Sequence, residues 1–120
     1  MTEGPSRAAQ FPELGRVSRI LAGREIFFDL EGFFWEATDW TEDIAMMLIR
    51  EGGLADLTDI HWQVLRFFRE YYFYHGRAPM NRHLKQGTGL NLQALESLFP
   101  GGIRLGARRL AGLPNPKSCF

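Results

Sequence analysis

The sequence is poor in the features that announce most function classes. It holds one cysteine, Cys119, so no internal disulfide can staple the fold. The covalent sulfur chemistry open to that thiol is an intermolecular or mixed disulfide, or a persulfide. There is no excess charge: Lys and Arg number 14, Asp and Glu number 14, which removes the whole-molecule basic field of a general nucleic-acid binder. No apolar run approaches the about 18 residues that suggest a membrane span. The N-terminal MTEGPSRAAQFPELGR lacks the apolar core of a secretion signal, which predicts a cytoplasmic location. No glycine-rich phosphate loop follows a β run, and no cysteine or paired carboxylate joins His61, His75 or His83 at zinc spacing, so neither cofactor nor metal is expected.

What is present is apolar and aromatic. Hydrophobic residues make up 45% and ten residues are Phe, enough for one core in a chain of 120 residues. Residues 1–15 read as a flexible arm with an apolar stretch from Phe11 to Leu14. VSRIL (17–21) and REIFFDL (24–30) flank Ala22-Gly23 and predict a small hairpin or meander, too small to stand without helices packed on it. Thr41 is a candidate N-cap for a helix carrying Ile44, Met47 and Leu48 to a Gly52-Gly53 stop. Thr58 caps a longer helix in which Trp62, Leu65, Phe68, Arg69 and Tyr72 recur at helical steps until Gly76; its Trp62, Phe68 and Tyr72 stripe is assigned to the core. His61, in its first turn, is assigned a capping or packing role.

Pro79 suits the first turn of a third helix ending at Gly87, and Asn91 caps a fourth that Pro100-Gly101 ends. IRLGARRLAG (103–112) predicts a fifth, short helix. The expected fold is therefore α+β: a β-hairpin on a bundle of about five short helices, forming one domain over 16–111. The helices near 59–75 and 79–86, with Arg77 and Arg82 at their junction, also match helix-turn-helix spacing. A DNA-binding regulator is one alternative function.

The last stretch, AGLPNPKSCF (111–120), is of another kind. Pro114 and Pro116 disfavour helix, so 112–120 reads as an extended arm with Gly112 as its hinge. From Gly112 to Cys119 such an arm spans roughly 20–25 Å. Chain ends lie at the surface, so the thiol is expected to be used rather than buried. Arg108, Arg109 and Lys117 are candidates to favour its thiolate, the nucleophilic form. Together with Arg104 they form a basic group suited to docking an acidic partner.

That ending resembles the DsrC/TusE family of sulfur-carrier proteins, whose chains finish in AGLPxPxxC plus one apolar residue. The similarity continues inward through EGFFWEATDW (31–40), LTDIHWQVLRFFREYY (57–72), APMNRHL (78–84) and LFPGG (98–102), in the family's order. The resemblance implies a small β element on a helical bundle with a mobile C-terminal arm. It also implies that Cys119 accepts sulfane sulfur as a persulfide and hands it on. Members that serve dissimilatory sulfite reductase carry a second cysteine eleven residues upstream, where this chain has Arg108. An intramolecular two-cysteine cycle is thereby excluded, and the resemblance favours the single-cysteine, TusE-like branch. The partners it implies are a TusBCD-like donor complex and a tRNA thiouridylase-like acceptor that makes 2-thiouridine. A DsrC-like partner subunit of sulfite reductase or of other sulfur-oxidation enzymes is the other reading within the family.

Overall fold

In the computed structural model, which describes residues 15–115, the chain opens with an antiparallel hairpin of β1 (Arg16–Leu21) and β2 (Arg24–Asp29). Arg16 pairs with Asp29 at the open end and Leu21 with Arg24 at the turn. The two turn residues, Ala22 and Gly23, both have positive φ (53° and 77°), the handedness that matches the twist of a two-residue hairpin. After a turn at Gly32 the chain runs back along β2, with a bridge between Phe28 and Phe34. The expected meander is thus a hairpin plus one returning rung. Alternation along β2 buries Ile26 and Phe28 on one face, where they join Leu21, Phe34 and Ile44 in a small core.

A short 3₁₀ turn (Ala37–Asp39) leads to α1 (Glu42–Glu51), whose N-cap Thr41 hydroxyl accepts from the Ile44 N–H at 3.2 Å. Ile44 faces the hairpin core, while Ala45 and Ile49 face the helical core. That double contact rotates Met47, expected on the apolar face, out toward solvent. α2 (Asp59–His75) is the spine of the larger core, with Val64, Leu65 and Phe68 fully buried. Trp62 and Tyr72, expected inside, are only partly buried at its margin. The helix closes at Gly76 (φ 79°), as its sequence predicts.

α3 (Asn81–Thr88) departs from expectation at both ends. Pro79 is buried before the helix rather than in its first turn, and Met80 is the N-cap. Gly87 lies inside the helix and does not stop it; a Cβ there would sit 2.1 Å from the Phe67 ring, so this glycine admits close packing of α3 on α2. The left-handed residue that ends α3 is Gly89. α4 (Leu92–Leu98) starts where expected, with Asn91 Oδ1 accepting from the Ala94 N–H at 2.8 Å. Two left-handed glycines, Gly101 and Gly102, then launch the expected fifth helix, which winds as a π-helical segment over Gly102–Arg108. It presents Ile103, Gly106 and Ala107 to the core. Trp40 and Leu48 touch both cores and join hairpin to helices.

Candidate functional site

The C-terminal segment leaves the body along a route fixed by side chains far away in sequence. Trp40, just after the 3₁₀ turn, donates its indole N–H to the Leu110 carbonyl at 2.7 Å. Its ring lies against Gly112, where a Cβ would fall 2.4 Å from Trp40 Cδ1, and Gly112 has φ 81°. Only glycine satisfies both conditions. Arg69 lies over the same indole at 4.3 Å and donates to Ala111 O (2.9 Å) and Ala37 O (3.0 Å). Burial holds its guanidinium below the usual arginine pKa. Leu113 follows with no exposed surface, and removal of such a side chain from water contributes about 1.5–3 kcal/mol.

A polar clamp holds the next turn of chain. Asp29 Oδ1 accepts from the N–H groups of Glu31 and Phe33, both at 2.9 Å, and so shapes the loop after β2. Glu31 Oε1 on that loop accepts from Arg104 (3.0 Å) and from the amide of Asn115 (3.1 Å), and Arg104 also donates to Asn115 Oδ1 at 3.3 Å. Asn115 is buried, and Arg104 lies across the Phe33 ring. Arg109 fixes the same loop from the other side, donating from Nη1 to Glu31 O (2.7 Å) and from Nε to Leu105 O (2.6 Å).

The residues singled out in sequence divide accordingly. Arg104, Arg109 and Gly112 come together around the Glu31 loop and the Trp40 ring, and Pro114 is partly buried between Leu113 and Asn115. Pro116, Lys117 and Cys119 lie outside the described residues, as does the N-terminal arm through Leu14. The boundary expected at residue 111 falls short of the packed body, which continues through Asn115 because Leu113 and Asn115 are both buried. Gly112 occupies a filled turn against Trp40. The basic group is not one solvated patch: Arg104 and Arg109 are committed to the loop. Arg108 differs from both. It is half-buried, its Nε has no hydrogen-bond partner among the described residues, and its pKa is lowered by burial first and by nearby Arg104 second.

The body itself offers little chemistry. His61 is a strut: its Nδ1 accepts from the Thr58 N–H at 3.1 Å, which leaves Nε2–H to donate to Leu98 O at 2.8 Å. An open groove of about 420 Å³ between the hairpin, the end of α1 and the π segment has Val17, Phe28, Leu48 and Leu105 on its walls. The Arg19 and Glu51 on its rim are paired with each other. Among the described residues no cluster of three metal-ligating side chains occurs, and no helix is long and apolar enough to cross a membrane. Sequence reasoning missed Glu31, Trp40, Arg69 and Asn115. All four lie in the stretches that carry the family resemblance, and Arg69 also stands as a charge on the apolar stripe of its helix.

Comparison with known proteins identifies the chain's family and fold. Residues 20–120 match the model of a family described as DsrC like protein. The dissimilatory-type sulfite reductase gamma subunit of Nitratidesulfovibrio vulgaris is 34% identical over 97 residues, covering 81% of this chain and 92% of that protein. Sulfurtransferase TusE of Photorhabdus laumondii is 35% identical over 108 residues, covering 84% and 96%. A crystal structure of dissimilatory sulfite reductase I contains a chain that superposes with a TM-score of 0.78 at 32% identity, covering 87% of this chain and 100% of that one.

Proposed function

Since the chain belongs to the DsrC-like protein family, we propose that it is a sulfur carrier whose Cys119 takes up sulfane sulfur and passes it to an acceptor enzyme. The observation that carries this reading is the junction between body and tail. Trp40, Arg69, Glu31, Arg104 and Arg109, five side chains from distant parts of the sequence, fix the tail's root, and the family match runs through the only cysteine beyond it. A fold that commits this many long-range polar contacts to the base of a tail, while no cysteine lines its groove, supports chemistry at the tail's end.

The transfer needs no outside redox partner. The Cys119 thiolate attacks the terminal sulfur of a persulfide on a donor protein, the donor's S–S bond breaks, and the donor leaves as a thiolate while Cys119 becomes the persulfide. Attack by an acceptor thiolate on that terminal sulfur repeats the step and regenerates Cys119. The reading includes a TusBCD-like donor complex and a tRNA thiouridylase-like acceptor, in keeping with the similarity to sulfurtransferase TusE. Arg108 and Lys117 are assigned the electrostatic task of favouring the anionic sulfur. Arg109 is anchored through Nε and Nη1 on the Leu105 and Glu31 carbonyls, so its charge is held at the loop after β2 and does not travel with the tail.

Service to a sulfite reductase is the second reading, supported by the similarity to the gamma subunit. Arg108, at the place of that branch's second cysteine, weighs against a two-cysteine cycle. The test is intact-mass spectrometry after incubation with a cysteine desulfurase, cysteine and a candidate donor. A gain of one sulfur that reductant removes and that Cys119→Ser lacks is expected. No gain with any donor, in folded protein with a free thiol, overturns the carrier reading.

A further inference from the structure

The α2–α3 junction has a charge distribution unlike the rest of the molecule. Between Glu70 and Glu96 the sequence contains no Asp or Glu, yet it carries Arg77, Arg82 and Lys85, all exposed. Every carboxylate–arginine pair found among the described residues lies elsewhere, at Arg19, Arg24, Arg66 and Arg104. The neutrality of the whole chain therefore hides one locally cationic face.

Aromatic rings run through that face. Tyr71 has the His75 ring on one neighbouring centroid at 4.0 Å and the His83 ring on another at 4.9 Å, tilted by 35° and 31°. The run continues from His75 to Tyr74 at 4.8 Å. Tyr74 is 85% exposed, and Phe73 and Met80 are half exposed. His83 is held below the usual histidine pKa by burial first and then by Arg82, Arg77 and His75.

Cations interleaved with exposed ring faces fit a strand that offers phosphates and unpaired bases together. They do not fit duplex recognition, because α3 is a helix of 8 residues packed at Gly87 against the Phe67 ring rather than a long helix free to enter a groove. Nor does an acidic protein need the ring faces. We propose that the α2–α3 junction is a binding surface for single-stranded RNA, with the exposed Tyr74 ring stacking on a base, the Tyr71–His75–His83 ring stack backing it, and Arg77, Arg82 and Lys85 meeting phosphates. This surface does not depend on the sulfur chemistry of Cys119.

Fluorescence anisotropy of a labelled, unstructured RNA oligonucleotide tests it, in the absence of any sulfur donor. The reduced full-length chain should bind saturably, with log affinity falling against log salt at a slope of about −2 if three phosphates are neutralised. Tyr74→Ala should weaken binding about 5- to 150-fold, the range of one lost stacked base. It should leave persulfide uptake on Cys119 unchanged, so failure here and failure of the carrier reading are distinguishable. Arg77→Gln with Arg82→Gln should flatten the salt slope by more than 1. No saturable binding at low salt overturns the proposal. So does duplex DNA of the same sequence binding equally well, or a polyglutamate peptide displacing the RNA, with Tyr74→Ala silent.

Discussion

Gly112→Ala separates two costs that glycine substitutions usually confound. The new methyl group must adopt φ 81°, which costs about 1–2 kcal/mol for a non-glycine residue. It must also displace the Trp40 ring, whose Cδ1 and Cγ would lie 2.4 and 2.6 Å away, and such overpacking adds about 1–3 kcal/mol. Gly23→Ala is the internal control: its φ is 77°, but nothing lies within 4 Å of the added atom. Urea titration followed by tryptophan fluorescence should therefore show Gly112→Ala less stable than Gly23→Ala by about 1–3 kcal/mol. Trp40→Ala removes the ring but keeps a Cβ that would lie 2.7 Å from the added methyl, so in its background the cost of Gly112→Ala should fall part of the way toward that of Gly23→Ala. Equal costs for the two glycines in the parent chain, or an unchanged cost in the Trp40→Ala background, would refute the packing described for the tail's root.

Four further outcomes are expected. His61→Phe keeps a ring in the core but leaves the Thr58 N–H and Leu98 carbonyl unpaired, and should cost about 2–4 kcal/mol in the same titration. Arg108→Gln should raise the pKa of the Cys119 thiol, read from the pH dependence of alkylation by iodoacetamide, whereas Arg109→Gln should leave it in place. Glu31→Gln should change global stability by no more than about 1 kcal/mol, because the Arg104 pair is well exposed, while hydrogen exchange at Asn115 rises. His83 accepts the Met80 N–H at its Nδ1 and has a lowered pKa, so the unfolded chain takes up its proton first. Its contribution is intact above about pH 6.5 and declines as pH falls below that value toward the folded pKa; His83→Gln should remove this part of the acid sensitivity in urea midpoints.

The legible features were those written in neighbouring residues. Thr41 and Asn91 cap helices through contacts three residues ahead, and Ala22-Gly23 turns the hairpin by its own dihedrals, so local pattern located all three. Gly87 misled because a glycine near a helix end reads as a stop; the reason for it is the Phe67 ring on another helix. The tail root misled in the same way. Gly112, Leu113 and Pro114 look like the start of a free arm until Trp40 and Arg69, some 70 and 42 positions away, are brought under Leu110 and Ala111. The π winding over Gly102–Arg108 keeps the apolar residues of a helix and so left the same sequence mark as an α-helix.

The buried Leu113 and Asn115 set a depth limit on any enzyme that deals with Cys119. Measured from Gly112, a straight tail would span roughly 20–25 Å, but measured from a seated Asn115 the four remaining peptide steps reach about 13–14 Å at most. A shallow active site can be served with the root in place. A deeper one has to draw Leu113 out of its pocket and release Asn115 from Glu31 and Arg104, and its binding energy must cover that extraction. The latch thus acts as a gauge: it sorts potential donors and acceptors by how far below their surface the receiving sulfur lies, before any side chain of the tail is recognised.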